Sequence, residues 1–333
     1  MPMDLSAYEN NFLYFDEGPH KYTDTEGNEY LSVTTMIHEN YVPKFDKNYW
    51  LHKKARELGI SEKALAKQWQ DITDEACSRG TKTHNGIENA IKENSMFYDA
   101  IQYLKDGRSG RCITVADIPN LKAKPLDLDN FKVATHYNYP EIYDVFQWYL
   151  DRGYVIYSEI AVYLPNLLIS GTIDILAIKP DRFVILDWKT NRNGLQFHAG
   201  YYRKDKRSVP VQLTNEYVET DDRMLPPLAH LYDCNGMHYT MQLSSYARMV
   251  ELILNIPCVG CGLCHIASPF VKNQYGMPYK DENGLYPLDP NGTEKVKWYH
   301  IQYLRDEADA IFRDRAIYLN KTGQLNKQMT LQF

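Results

Sequence analysis

Residues 170–190 read S-G-T-I-D-I-L-A-I-K-P-D-R-F-V-I-L-D-W-K-T. Two apolar, β-branched-rich runs flank Lys179-Pro180-Asp181-Arg182, and Pro at the second position of that tetrapeptide suits a tight turn. The stretch is therefore expected to be a β-hairpin. Phe183-Val184-Ile185-Leu186 is continuous rather than alternating, as in a central strand covered on both faces. Charges that end such a strand line a site more readily than an open surface. Side chains two apart on a strand share a face, so Asp187 and Lys189 project together and Trp188 points away. Strands pair at roughly 5 Å, which lets Asp174 of the first strand reach the same pocket. Two carboxylates and a lysine on one face are costly unless a cation or ligand neutralises them. Hard divalent cations such as Mg²⁺ favour carboxylate oxygens and bridge to phosphates. Taken alone, D-x-K also fits a solvated Asp–Lys pair, so the apolar context carries the reading.

The chain has 333 residues, enough to bury a large core, and its composition is globular, with 44% hydrophobic and 24% charged residues. A net charge of −6 does not advertise a nucleic-acid partner, so any such binding must come from a local basic patch. There is no run of about 18 apolar residues, and no membrane span is expected. The N-terminal M-P-M-D-L-S-A-Y-E-N lacks a signal-peptide pattern, so the expected setting is cytoplasmic, with free thiols as the default for six cysteines.

Residues 12–37 read as a β-hairpin feeding a helix, with Ser32, Thr34 or Thr35 as its cap. Residues 46–70 look helical and lysine-rich. In 73–94, His84 and Glu88 are four apart on a helix, and Ile87 and Ile91 continue that side. Arg79-Gly80-Thr81 just upstream allows close backbone approach to another element or a ligand. Residues 154–163 form a strand with one acid, Glu159, among apolar neighbours, and an acid so placed wants a partner. After Lys189 the charge changes sign. Arg192, Arg203, Lys204, Lys206 and Arg207, with Tyr201 and Tyr202 interleaved, could pair with phosphates and stack bases, or form a solvated loop. An insertion is expected at about 193–238, and the segment 211–240 reads as irregular with a candidate hairpin around Asp233-Cys234-Asn235-Gly236. Residues 240–254 form a helix with Gln242 and Tyr246 four apart. Residues 256–268 read as a strand, 294–304 as a last strand and 305–319 as a helix. Cys258, Cys261 and Cys264 follow C-x₂-C-x₂-C, but a cluster normally needs four thiolates, and a strand would place Cys261 opposite the other two. An iron–sulfur cluster is therefore disfavoured.

G-T-I-D at 171–174 followed by D-W-K-T at 187–190 resembles the PD-(D/E)XK nuclease signature. R-G-T-x-x-H-x-x-x-E at 79–88 and Q-x-x-x-Y at 242–246 make the chain resemble the RecB-type exonuclease branch, including phage exonucleases. The motifs occur in the family's order. The resemblance implies an α/β, restriction-endonuclease-like core: a central mixed β-sheet flanked by helices. To this it adds an N-terminal β-hairpin and an insertion after the catalytic hairpin. In that frame 1–72 would be an N-terminal hairpin and helical region, 73–320 the nuclease domain and 321–333 a mobile tail. It implies that His84, Asp174, Asp187 and the Trp188 backbone carbonyl hold Mg²⁺ or Mn²⁺. Lys189 would position or activate water, Gln242 and Tyr246 would orient the strand, and Glu88 and Glu159 would tune the metal. The implied substrate is DNA, as single strands or duplex ends, alongside recombination or replication proteins, and in the host cytoplasm if the chain is phage-encoded. A structure-specific endonuclease of the same fold and a non-catalytic DNA-binding module remain open.

Overall fold

A computed structural model describes residues 5–16, 18–95, 110–121 and 124–324. The strands are β1 (Leu13–Asp16), β2 (Lys21–Asp24), β3 (Glu29–Ser32), β4 (Val155–Leu164), β5 (Ile169–Lys179), β6 (Arg182–Lys189), β7 (Gly200–Asp205), β8 (Gln212–Glu219), β9 (Cys258–Ala267) and β10 (Lys295–Ile301). The α-helices are α1 (Val33–Asn40), α2 (Lys47–Leu58), α3 (Glu62–Glu93), α4 (Leu128–Ala134), α5 (Pro140–Leu150), α6 (Asn235–Leu254) and α7 (Arg305–Thr322).

Local chemistry sets several boundaries. The Ser32 hydroxyl accepts from the Thr35 N–H and starts α1. The expected helix over 46–70 divides because Gly59 adopts a left-handed φ of 67°, and Ser61 then caps α3 by accepting from the Ala64 N–H. Helix α3 runs without a break for 32 residues, straight through position 72. Pro180-Asp181 turns β5 into β6, with Lys179 and Arg182 paired across the turn.

An eight-stranded mixed sheet organises the chain. Strands β4, β5 and β6 form an antiparallel meander, β9 adds parallel to β6, and β10 closes that edge antiparallel to β9. Along its other edge β5 has two successive partners. Its first residues, Ile169 and Ser170, pair in parallel with β3, while Ile175–Lys179 pair with β6. The two partners part at Gly171–Asp174 and leave a fork in the sheet.

Helices cover both faces. One core joins α1, α6 and α7 through residues such as Met36, Leu243, Val250 and Phe312. The other joins α3, α4 and α5 through Ile87, Ile91, Phe131, Phe146 and Trp188. The N-terminal strands share the first core with α6 and α7, so they are not packed apart from the rest. No described helix is long and apolar enough to cross a membrane.

Three expectations need correction. The insertion is not irregular throughout, since β7 and β8 form an antiparallel ribbon. No hairpin forms at Asp233–Gly236, because Asn235 already opens α6, which starts five residues earlier than its apolar stripe announces. A register shift at the start of β9 changes the cysteine faces: Cys258 and Cys261 pack in one core with their sulfurs 3.7 Å apart, and Cys264 lies in the other. The helix foreseen over 305–319 extends to Thr322, and 325–333 of the expected tail lie outside the described residues.

Candidate metal centre

The fork in the sheet is also where strand periodicity breaks. Glu159 has a φ of 51°, a left-handed conformation that non-glycine residues seldom adopt inside a strand. Ile156 and Ile160 are four apart on β4 and should share a face, yet they pack in opposite cores. On β5, Ile173 and Ile175 are split in the same way. The pairs Ser158–Ile175 and Ile160–Ile173 set Glu159 directly across from Asp174. The two acids therefore meet where both strands switch phase.

Asp174 is anchored across the fork, its Oδ2 accepting the Trp188 N–H at 2.9 Å. His84 comes from α3, with Nδ1 3.7 Å from the same oxygen. One ligand atom each from His84, Glu159 and Asp174 lies within 4.8 Å of the others. The helix is held close by Gly80, where a Cβ would stand 3.1 Å from Thr190 Oγ1. The close approach expected of Arg79-Gly80-Thr81 is thus to the end of β6.

Asp187 and Lys189 project together from β6, as the strand period requires, and form a buried ion pair. Asp187 is only 2% exposed, and its Oδ2 has no hydrogen-bond partner among the described residues, leaving the ion pair as its answer. The Lys189 ammonium sits 4.4 Å from the centroid of the Tyr239 ring. Tyr239, Gln242 and Tyr246 all lie on α6, and Gln242 Nε2 donates to Tyr246 Oη at 3.3 Å. Gly171 makes room for that tyrosine: a Cβ there would fall 2.3 Å from a ring carbon. The glycine of G-T-I-D therefore serves packing between β5 and α6.

Electrostatics in the fork favour an added cation. Burial, reinforced by Asp174, pushes the Asp187 carboxyl up to about 7 against the pull of Lys189. Burial, with Asp174 and Glu88, pushes Glu159 up to about 9. Burial also raises Asp174, although Lys189 and the Trp188 N–H pull it down. The His84 pKa is lowered by burial, which outweighs Asp187, and a backbone hydrogen bond to Trp188 opposes it. Burial disfavours the Lys189 ammonium, but the Asp187 and Asp174 charges prevail and keep it protonated. Several acids are thus short of counter-charge. Two carboxylates and one imidazole, from Glu159, Asp174 and His84, form a donor set that fits a divalent ion such as Mg²⁺ or Mn²⁺.

The remaining expected residues divide. Glu88 lies near the fork but is paired with Lys92 one helical turn on. The basic stretch does not act as one surface. Lys204 and Lys206 line a groove against α2 and α3. Arg203 instead pairs with Glu216 at 3.3 Å, Tyr201 is exposed, and the backbone of Arg207 is tied to Asp205. Arg192 is stacked 3.5 Å from the centroid of the Tyr286 ring, which lines the same groove. Within the ribbon, alternation along β7 and its register shift at Tyr202/Lys204 separate Arg203 from Lys204. Tyr239 was missed. Its signal was its place three residues before Gln242, on the same side of α6.

Comparison with protein-family models, with curated proteins and with solved structures gives no match.

Proposed function

We propose that the chain is a Mg²⁺- or Mn²⁺-dependent deoxyribonuclease with a restriction-endonuclease-like core. Exonucleolytic action of the RecB type, on DNA ends or single strands, is the reading we favour. The observation that carries it is the convergence of His84, Glu159 and Asp174 beside the Asp187–Lys189 pair at the fork of the sheet. His84, Asp174 and Glu159 would hold the ion, with Asp187 and the Trp188 carbonyl beside them. A divalent ion bound there would acidify water and offset charge on the scissile phosphate. Lys189, held by Asp187 and resting on Tyr239, offers its ammonium to a phosphate oxygen as negative charge builds. Gln242 and Tyr246 supply polar atoms from α6 to orient the strand. Work on cytoplasmic DNA with recombination or replication proteins fits this activity.

Incubation of end-labelled linear DNA and closed circular DNA with Mg²⁺ or with EDTA tests the proposal. Digestion of linear DNA alone, lost in EDTA and in Lys189→Ala, supports the exonuclease. Nicking or cutting of closed circles moves the assignment to an endonuclease. Retained binding without cleavage would leave a DNA-binding module on the same scaffold.

A further inference from the structure

Two arginines beside the metal centre are incompletely neutralised: Arg79 has a single acidic partner and Arg192 none within ion-pair distance among the described residues. Arg79 lies five residues before His84 on α3, and Arg192 lies three after Lys189. The Gly80–Thr190 approach brings their two segments together. Each guanidinium is laid against an aromatic ring: Arg79 is 4.7 Å from the centroid of Phe270, and Arg192 is 3.5 Å from that of Tyr286. Both Nε atoms are shielded from solvent, with no hydrogen-bond partner among the described residues. Arg79 has one acidic partner, Glu75, at 3.2 Å. Among the described residues no carboxylate comes within ion-pair distance of Arg192. Burial lowers the Arg192 pKa, and the Arg79 charge adds to that while Tyr286 and Glu75 oppose it. Lys280 is lowered too, by burial and then by Lys204 and Arg192. These cations disfavour one another and are under-neutralised.

We propose that Arg79 and Arg192 form a phosphate clamp that grips a phosphate of the nucleic-acid strand next to the one being cut. The planar guanidinium fork matches a tetrahedral phosphate oxygen pair better than an ammonium does. Stacking on Phe270 and Tyr286 fixes the planes in advance, so little side-chain freedom is lost on binding. From Tyr286 a groove of about 670 Å³ continues past Lys280, Lys204, Lys206 and Trp69, giving the strand a basic path away from the fork. The clamp rests on the nuclease reading for its position relative to the scissile bond. Its ligand chemistry, a phosphate, comes either from a strand terminus or from an internal diester.

The test is fluorescence anisotropy in EDTA, with labelled single-stranded oligonucleotides ending in 5′-phosphate, 3′-phosphate or hydroxyl. The proteins are wild type, Arg79→Gln, Arg192→Gln and Arg192→Lys, with Arg182→Gln, at the turn on the far end of β6, as a control outside the clamp. Each clamp glutamine variant is expected to weaken binding about tenfold and to lower the salt slope by about one, while the control does neither. A loss confined to one phosphorylated end identifies a terminal phosphate, and an equal loss on all three oligonucleotides identifies an internal diester. Affinities within twofold of wild type, with an unchanged salt slope, overturn the clamp. Should the glutamine variants melt early, Arg192→Lys decides: weakened binding with a wild-type melting temperature supports the fork contact, and undiminished binding overturns it. Arginine-dependent binding by a protein that cuts nothing in Mg²⁺ would sink the nuclease reading and leave the clamp. Cleavage with arginine-independent binding would do the reverse.

Discussion

Glu159 shows how one residue shapes the site. Its left-handed φ turns β4 over and presents a carboxyl toward Asp174, a conformation that costs on the order of 1–3 kcal/mol for a non-glycine residue. A strained, half-buried acid facing other acids opposes stability unless function retains it. We expect Glu159→Asn to stabilise the metal-free protein by about 1 kcal/mol, since asparagine tolerates this conformation and carries no charge. The same variant should lose at least about tenfold in Mg²⁺-dependent cleavage, a conservative figure for removing a metal ligand's neighbour or the ligand itself. Urea unfolding in EDTA and a cleavage assay in Mg²⁺ check both halves; a destabilised yet fully active variant would refute this view of the residue. Asp174, Asp187 and Lys189 were legible in the sequence because a strand's period of two is rigid, and the turn at Pro180-Asp181 fixes which residues stand side by side. Glu159 could only be marked as an acid in need of a partner. A positive φ in a non-glycine residue leaves no trace in residue type.

Individual elements meet the site through close contacts that small residues permit. Helix α6 brings Tyr246 against β5 only because position 171 has no side chain. Gly171→Ala is expected to cost about 1–3 kcal/mol through overpacking and to lower cleavage by displacing the tyrosine. Thermal unfolding and turnover measured together check it, and wild-type values for both would contradict the packing role. The N-terminal strands depend on Asp24, whose carboxylate accepts from Asn11, Asn28 and Tyr30 and from two backbone N–H groups. Burial raises its pKa, but those hydrogen bonds outweigh burial and hold it below the usual carboxylate range. Because the folded pKa is the lower one, the stabilisation is complete above the unfolded value of about 3.9 and fades as pH falls through the folded value. Asp24→Asn should therefore be less stable than wild type by about 1–2 kcal/mol at pH 7, with the gap closing below about pH 3.9. Denaturant unfolding across that range measures it, and a gap that widens in acid would reverse the sign. The β5–β6 hairpin and the helical stretch around His84 were readable from apolar pattern and spacing, whereas the break at Gly59 and the unbroken run of α3 through position 72 were not. The cysteine faces were not, because the bulge at the start of β9 removes the alternation on which that reading relied.

At the scale of the whole molecule, the central feature is a sheet that divides. Strand β5 trades β3 for β6 at Gly171–Asp174, and the acids of β4, β5 and β6 gather at that point. α3 with His84 packs on one face and α6 with Tyr239, Gln242 and Tyr246 on the other, so the fork is where side chains from both layers can meet. The mixed sheet with flanking helices was expected from the resemblance, with strand patterns supplying its three consecutive strands. The fork was not, because parallel pairing of β3 with β5 joins residues far apart in sequence that share no local signal. The ribbon β7–β8 likewise acquires its basic groove only by folding back onto α2 and α3. A crystal soaked in Mn²⁺, with anomalous differences recorded at the manganese edge, tests the central claim most directly. The account predicts a peak bounded by His84, Glu159 and Asp174, absent from an Asp174→Ala crystal. A peak elsewhere, or an unaltered fork with no manganese in it, would contradict it.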